Sequence, residues 1–150
     1  MYLNKTNLFL VISICLIFFF LTYYDVKSSE LKIIDGDTIH LNGEKIRFSG
    51  IDTPEIKQTC IKNKEVIKCG IQAKELLVKM IGNKKINCVR EGKDQYKRTL
   101  AECFVNDLSL SSYLVKSGYA FAYRKYSKKF IVDEDFARSN NLGMWSMKFE

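Results

Sequence analysis

Two tight turns interrupt a regular alternation of apolar and polar residues soon after residue 30. The alternation covers residues 31–34, 38–41 and 44–48, with Asp-Gly-Asp and Asn-Gly at the two breaks. A period of two is typical of strands with one buried face, and Asn-Gly favours a type I′ hairpin. The pattern therefore predicts that the globular part of the chain opens with antiparallel strands.

Helices and a second pair of strands follow this opening. Apolar residues recur at helical spacing from Ala73 to Ile81, and Gly82 and Asn83 end that stripe. The pattern also predicts strands at 85–90 and 99–105 and helices at 108–117 and 132–140. Strands with interspersed helices in one small domain favour an α+β fold, mainly β, built as a short closed barrel with about three helices packed on it.

A long uncharged run precedes the alternating segment. Residues 8–24 contain no Asp, Glu, Lys or Arg, although the whole chain carries a net charge of +7. Such a run behind a short basic start is typical of an export signal, cleaved here after Ser28, or of an uncleaved membrane anchor. We therefore expect residues 1–28 to be a signal peptide or anchor. Residues 29–150 then form an exported domain, periplasmic or extracellular, that is either released or tethered to the membrane by residues 8–24.

Four cysteines remain beyond the uncharged run. An even number of cysteines in a small exported domain is typical of disulfide bonding. Four thiols allow three pairings. We favour Cys60–Cys69, which closes a short loop, together with Cys88–Cys103, which joins two neighbouring predicted strands. Four buried free thiols are the alternative.

The composition excludes several kinds of catalytic site. His40 is the one histidine in the sequence, which excludes histidine-rich zinc sites and nucleases that use paired histidines. The sequence has neither a P-loop nor a Gly-x-Gly-x-x-Gly motif, so a nucleoside triphosphate or dinucleotide site has no support. Any chemistry must therefore come from carboxylates and arginines.

Three polar clusters lie at the ends of predicted strands, and each alone has an ordinary structural explanation. Residues 35–38 (Asp-Gly-Asp-Thr) are typical of a turn, residues 52–55 (Asp-Thr-Pro-Glu) of a helix start, and residues 94–98 of an exposed loop. Together with Arg47 they point to chemistry instead. Carboxylates are ligands for Ca²⁺ or Mg²⁺ rather than zinc, and arginines bind phosphate oxygens. A carboxylate-held cation, two guanidinium groups and a further carboxylate are what phosphodiester hydrolysis requires.

The order of these clusters resembles that of the staphylococcal nuclease family. The motifs that carry the resemblance are Asp-Gly-Asp-Thr, then Arg-x4-Asp-Thr-Pro-Glu starting at Arg47, then Asp-x-Tyr-x-Arg ending at Arg98. The resemblance extends from about Lys32 through Gly118 to Trp145, which is nearly the whole part of the chain that we expect to be exported. It implies a five-stranded OB-fold barrel with three helices, and Ca²⁺-dependent cleavage of DNA and RNA.

The resemblance also implies roles for individual residues. The implied Ca²⁺ ligands are the carboxylates of Asp37 and Asp52 and the backbone carbonyl of Thr53. The implied catalytic residues are the general base Glu55 and the phosphate-binding Arg47 and Arg98. The implied substrate contacts are Tyr96, Tyr123 and Tyr126, and buried aromatic packing is the alternative for the last two.

The sequence departs from the family pattern in two places. Lys97 stands where many relatives have Gly, so that either the turn differs and displaces Arg98 or the added charge strengthens substrate binding. The cysteine-containing segment 58–70 resembles an exported bacterial branch of the family rather than its cysteine-free secreted prototype. The leading interpretation is a monomeric, sugar-nonspecific endonuclease. The alternative is a non-catalytic OB-fold domain that binds nucleic acid without cutting it.

Overall fold

A computed structural model of the chain describes residues 12–16 and 30–149, and residues 12–16 are helical. Within these described parts, no helix combines the length and the hydropathy needed to cross a membrane. The predicted signal peptide or anchor at residues 1–28 lies, apart from residues 12–16, outside the described residues.

Short strands and three α-helices make up the region from residue 30 to residue 149. The strands are β1 (Leu31–Ile33), β2 (Thr38–Leu41), β3 (Glu44–Phe48), β4 (Ile51–Asp52), β5 (Cys60–Lys62), β6 (Glu65–Ile67), β7 (Asn87–Lys93), β8 (Thr99–Val105), β9 (Leu108–Ser109), β10 (Phe121–Ala122) and β11 (Lys148–Phe149). The helices are α1 (Cys69–Ile81), α2 (Leu110–Lys116) and α3 (Ile131–Ser139), followed by a 3₁₀ helix at Gly143–Ser146. The expected α+β fold, mainly β, is confirmed.

The main sheet has the strand order β1-β2-β3-β8-β7, and β9 pairs with β8. Neighbouring strands are antiparallel except β3 and β8, which are parallel. Asn42 and Gly43 both have positive φ, so the β2–β3 connection is the predicted hairpin turn. The described strands form no closed ring, which differs from the predicted closed barrel. After β3 the chain turns at Gly50, which has φ +72°, and β4 pairs with β10 in a separate two-stranded sheet.

The hydrophobic core lies between the main sheet and the helices. Ile39, Ile46 and Phe48 of the opening hairpin are buried, as is the α1 stripe that contains Leu77 and Ile81. The stripe predicted from helical spacing is therefore confirmed. Burial of such side chains contributes roughly 1.5–3 kcal/mol each before conformational entropy is subtracted, so this core holds the site-bearing strands in place.

Two disulfide bonds join segments of this region. Cys60–Cys69 and Cys88–Cys103 are both formed, which confirms the favoured pairing. Cys88 and Cys103 face each other across the β7–β8 ladder. Cys60 and Cys69 enclose the β5–β6 hairpin, which pairs with β11 in a three-stranded sheet. The predicted helix at 108–117 is shorter than expected, because Asn106 and Asp107 form a turn of positive φ that returns β9 to β8 before α2 begins.

Candidate functional site

The sheet topology brings the three polar clusters together. The Asp-Gly-Asp-Thr segment leads into β2, Arg47 lies on β3, and residues 94–98 form the loop between β7 and β8. In the sheet register Arg47 lies between Thr38 of β2 and Leu100 of β8. Groups that are far apart in the sequence therefore lie on adjacent strands of one sheet or on the loops that lead into them.

Asp37 is the most deeply buried carboxylate of this group, with 2% of its side chain exposed. One carboxylate oxygen accepts hydrogen bonds from an Arg47 Nη atom and from the Thr38 hydroxyl, the latter at 3.1 Å. The other oxygen accepts from the Thr53 backbone N–H at 3.0 Å and from its hydroxyl at 2.9 Å. Gly36 permits this approach, because a Cβ there would lie 2.9 Å from the Thr53 hydroxyl.

Arg47 joins the two predicted metal-binding carboxylates. It pairs with Asp37, and its other Nη atom donates to Asp52 Oδ1 at 2.6 Å. The Asp52 side chain is 56% exposed, so this carboxylate faces solvent while Asp37 does not. A single guanidinium therefore draws a buried and an exposed carboxylate toward the same point.

Burial and charge act against each other at this cluster. Burial is the main cause that raises the pKa of Asp37 to about 6, and nearby Asp35 adds to it, whereas Arg47 and the Thr53 hydrogen bonds lower it. Burial alone would lower the pKa of Arg47, but the charges of Asp37 and Asp52 outweigh it and raise the pKa above its ordinary value. The buried carboxyl group of Asp37 therefore relies on the positive charge of Arg47 to offset the cost of ionising it away from water.

The donor chemistry of this cluster fits a hard cation. Two carboxylates converge on one positive group, and carboxylate oxygens are ligands that Ca²⁺ and Mg²⁺ prefer. Between residues 30 and 149, and within 12–16, no three His, Cys, Asp or Glu side chains are grouped closely enough to form a complete metal site. Any cation here would therefore complete its coordination with backbone oxygen, water or substrate. Thr53 directs its N–H and hydroxyl at Asp37, and these contacts leave open the metal-binding role that the family resemblance implies for its backbone carbonyl.

Asp94 organises the loop that carries Arg98. Its carboxylate accepts hydrogen bonds from the backbone N–H groups of Tyr96 and Arg98, both at 2.9 Å, and from Arg98 Nε at 2.6 Å. Burial would raise the pKa of Asp94, but these hydrogen bonds and the Arg98 charge together hold it below its ordinary value. The Arg98 guanidinium lies 5.5 Å from the centre of the Tyr96 ring.

Lys97 has φ +62°, the left-handed conformation that glycine adopts without strain. Lys97 thus takes the backbone conformation that glycine adopts most readily at such a position. Arg98 keeps its contacts with Asp94.

An open cleft of about 720 Å³ brings together most of the predicted site residues. Its lining includes Arg47, Asp52, Tyr96, Arg98, Tyr123 and Tyr126. The rings of Tyr123 and Tyr126 meet edge to face with centroids 4.9 Å apart. Both remain exposed, as does Tyr96, so these tyrosines are surface groups and the alternative of buried packing is wrong. Asp37 and Thr53 lie behind Arg47 rather than in the cleft wall.

Glu55 is exposed and does not line the cleft, although it follows Asp52 by only three residues. Its backbone is held in place: its carbonyl accepts from the Gln58 backbone N–H at 2.8 Å and its N–H donates to the Gln58 side chain at 3.2 Å. No hydrogen bond or ion pair of the Glu55 carboxylate is found among residues 30–149. Lys97 is likewise exposed and outside the lining.

Two lysines and a phenylalanine that were not predicted also line the cleft. They are Lys93, Lys129 and Phe130. Lys129 pairs with Glu102, a buried carboxylate on β8. For Lys129 and Phe130, the signal that could have indicated them is the interleaving of basic and aromatic residues from Tyr123 to Phe130, a pattern that suits nucleic-acid binding.

Comparison with known proteins gives consistent matches. A family profile described as "Staphylococcal nuclease homologue" matches residues 45–147. The chain is 30% identical over 123 residues to an "Uncharacterized endonuclease" of Haemophilus influenzae, 33% identical over 128 residues to "Endonuclease YncB" of Bacillus subtilis, and 33% identical over 147 residues to "Uncharacterized protein MJ1439" of Methanocaldococcus jannaschii. Each match covers 77% of this chain and, in the same order, 64%, 59% and 70% of the relative. The chain thus spans about two thirds of the length of these relatives.

Proposed function

We propose that this chain, which belongs to the staphylococcal nuclease family, is an endonuclease that hydrolyses the phosphodiester bonds of DNA and RNA. The observation that carries the proposal is a single cleft. Arg47, Arg98, Asp52 and three exposed tyrosines all line it. Two relatives carry the word endonuclease in their names, which supports the same activity.

The cleft lining suits a nucleic-acid strand. Guanidinium groups bind phosphate oxygens with planar, permanently charged forks, and exposed aromatic rings stack on bases. Neither contact reads the sugar, so the proposal covers both DNA and RNA. The net charge of +7 attracts a polyanion and adds a salt-dependent contribution to its binding.

The hydrolysis proceeds by in-line attack of water on phosphorus. Glu55 accepts the proton of the attacking water, the bond from phosphorus to the 5′ oxygen breaks, and that oxygen leaves as a 5′-hydroxyl after protonation. Arg47 and Arg98 stabilise the negative charge that accumulates on the phosphate oxygens in the transition state. Glu55 follows Asp52, which lines the cleft, by three residues, and in this scheme its exposed side chain reaches the phosphate from outside the lining.

Ca²⁺ is part of the proposal, and Asp37 and Asp52 are the residues that would hold it, with Thr53 beside them. When bound, the cation would supply additional positive charge that polarises the phosphate. The exposed Asp52 offers a ligand that solvent and substrate can reach, whereas Asp37 is fixed by Thr53 from within. Arg47 pairs with both carboxylates and so keeps them close to each other.

The first test uses the purified full chain with labelled single-stranded DNA and RNA, each in Ca²⁺, in Mg²⁺ and with a chelator. We expect cleavage in Ca²⁺ that stops with the chelator. Glu55→Gln and Arg98→Ala should each lower kcat by about 10²–10³. Arg90→Ala is the matched control, since Arg90 is an exposed arginine whose partner is Glu44 on the sheet surface, and it should leave the rate unchanged. Binding without cleavage in every metal would instead support the non-catalytic domain.

Export and the barrel architecture belong to the same proposal. Two formed disulfides suit an oxidising compartment outside the cytoplasm. Five strands in the order β1-β2-β3-β8-β7 suit an OB fold, because that fold is a five-stranded barrel that is partly open. A monomer is the expected oligomeric state, and size-exclusion chromatography with light scattering tests it.

A further inference from the structure

A disulfide-bounded hairpin follows Glu55 in the chain and has no role in the chemistry described so far. We call it the arm: residues 60–67, comprising β5, the turn at Asn63 and Lys64, and β6. Asn63 and Lys64 have φ +53° and +69°, so the arm ends in a tight type I′-like turn. The Cys60–Cys69 bond ties its base to α1, and β11 pairs with β5. The arm is therefore a fixed projection rather than a loose loop.

The base of the arm lies against the backbone of Glu55. Gly70, the residue after Cys69, packs so closely that a Cβ there would lie 2.6 Å from the Glu55 carbonyl carbon and 3.0 Å from Ile56 Cα. The Gly70 N–H donates to the Gln58 carbonyl at 3.3 Å, and Gln58 in turn donates to Glu55. Each strand of the arm is three residues long, or about 10 Å at the usual rise. The tip of the arm, at Asn63 and Lys64, therefore lies close enough to Glu55 for one short nucleic-acid strand to reach both.

Four exposed lysines belong to the arm and its flanks. They are Lys57, Lys62, Lys64 and Lys68. No ion pair of these lysines is found in residues 30–149, and Glu65 is the one acidic residue between positions 57 and 68. A cluster of unpaired cations on a rigid hairpin is complementary to a polyanion, because each lysine that meets a phosphate releases a counterion.

We infer that the arm is a second contact surface for the nucleic-acid strand, with Lys62 and Lys64 binding phosphates beyond the one that is cleaved. This inference rests on the proposed function for the identity of the ligand. The cleft holds the strand on the Asp52 side of Glu55, and the arm extends the positive surface on the Gln58 side. Its lysines make phosphate contacts without base contacts, so the arm adds affinity for long strands and no sequence preference.

The experiment compares Lys62→Gln/Lys64→Gln with Lys84→Gln/Lys85→Gln in the full chain. Both pairs remove two exposed lysines. The control pair follows the C-terminal end of α1, and this helix of 13 residues is about 20 Å long, so the control lies far from the arm at the opposite end. Binding of a fluorescein-labelled single-stranded 20-mer is followed by anisotropy in EDTA, at several salt concentrations. Cleavage of the same 20-mer and of a dinucleotide is followed separately in Ca²⁺.

The arm variant should weaken binding of the 20-mer about 20-fold at 0.1 M salt and reduce the slope of log Kd against log salt by about 1.4, since each phosphate contact on a single strand contributes about 0.7. Its KM for the 20-mer should rise with kcat unchanged, and the dinucleotide should be cut as by the wild type. Equal binding by the arm and control variants would overturn the inference. Weaker binding to phosphatidylglycerol vesicles with unchanged binding to the 20-mer would also overturn it, because the arm would then be a membrane contact. Absence of cleavage by the wild-type chain would count against the proposed function alone, since the binding assay needs no catalysis.

Discussion

Replacing Gly70 with alanine tests whether the backbone position of Glu55 controls the reaction. Gly70 is the second residue of α1 and is buried. Alanine would favour the helix by up to about 1 kcal/mol. However, its Cβ would lie 2.6 Å from the Glu55 carbonyl carbon, and nearer still to the carbonyl oxygen, where ordinary contact begins at 3.4 Å. The carbonyl oxygen is the nearer atom, so the two backbones must separate by about 1.5 Å to reach ordinary contact.

The segment that carries Glu55 should make this movement. The start of α1 is held by the Cys60–Cys69 bond and by Ala73 and Leu77 in buried positions, whereas the three residues from Glu55 to Lys57 are exposed. A displacement of 1 Å at a catalytic group costs about 10² in rate, or about 2.7 kcal/mol in the barrier. The overpacked contact should also lower the free energy of unfolding by about 1–3 kcal/mol.

The assay measures kcat and KM for cleavage of a labelled single-stranded oligonucleotide, with urea unfolding as the stability readout. We expect Gly70→Ala to lower kcat about 100-fold and to leave KM nearly unchanged, because Arg47 and Arg98 do not contact the displaced segment. Gly43→Ala is the matched control: Gly43 has φ +81° and no atom within 4 Å of an added Cβ, so only stability should fall. A kcat for Gly70→Ala within threefold of the wild type, in a folded protein, would refute the reasoning.

Four further predictions concern stability and are each checked by urea unfolding. Lys97→Gly should stabilise the protein by about 0.5–1 kcal/mol, because the strain of holding a lysine at positive φ exceeds the entropy that glycine adds to the unfolded chain. An unchanged midpoint of urea unfolding would contradict this prediction. Breaking Cys88–Cys103, which closes a loop with a sequence separation of 15, should cost about 3 kcal/mol, and equal midpoints with and without reductant would be the contrary result. The pKa of Asp94 is lowered in the folded state, so its ionised carboxylate adds to the free energy of unfolding above its ordinary pKa of 3.8, and this contribution is lost as pH falls through the pKa of the folded state. The difference in free energy of unfolding between the wild type and Asp94→Asn should therefore shrink in acid. A difference that does not vary with pH would argue against this prediction. Glu134→Ala should cost about 2–3 kcal/mol, because this buried carboxylate accepts from the Ala122 N–H at 2.9 Å, and Glu134→Gln should recover part of the loss; equal effects of the two substitutions would exclude that hydrogen bond as the cause.

Local patterns account for the elements that were predicted correctly. The β2–β3 hairpin follows from alternation and Asn42-Gly43, and α1 follows from a stripe at helical spacing, because both signals depend on neighbours in the sequence. The Cys88–Cys103 pairing follows from the prediction of adjacent strands on either side of residues 91–98. The strands β4, β10 and β11 were not predicted, since two residues carry no periodicity and each exists only because a distant partner pairs with it.

The chemistry of the site was visible in the residue types, but its arrangement was not. Motif order alone indicated carboxylates and arginines for phosphate chemistry, because those side chains have fixed charge and ligand preferences wherever they lie. Only the tertiary structure decided that Arg47 joins Asp37 to Asp52, that Thr53 approaches Asp37 through its N–H and hydroxyl, and that Glu55 stands outside the cleft. Those relations depend on burial and on strand pairing between residues far apart in the chain, and neither quantity is carried by a local stretch of sequence.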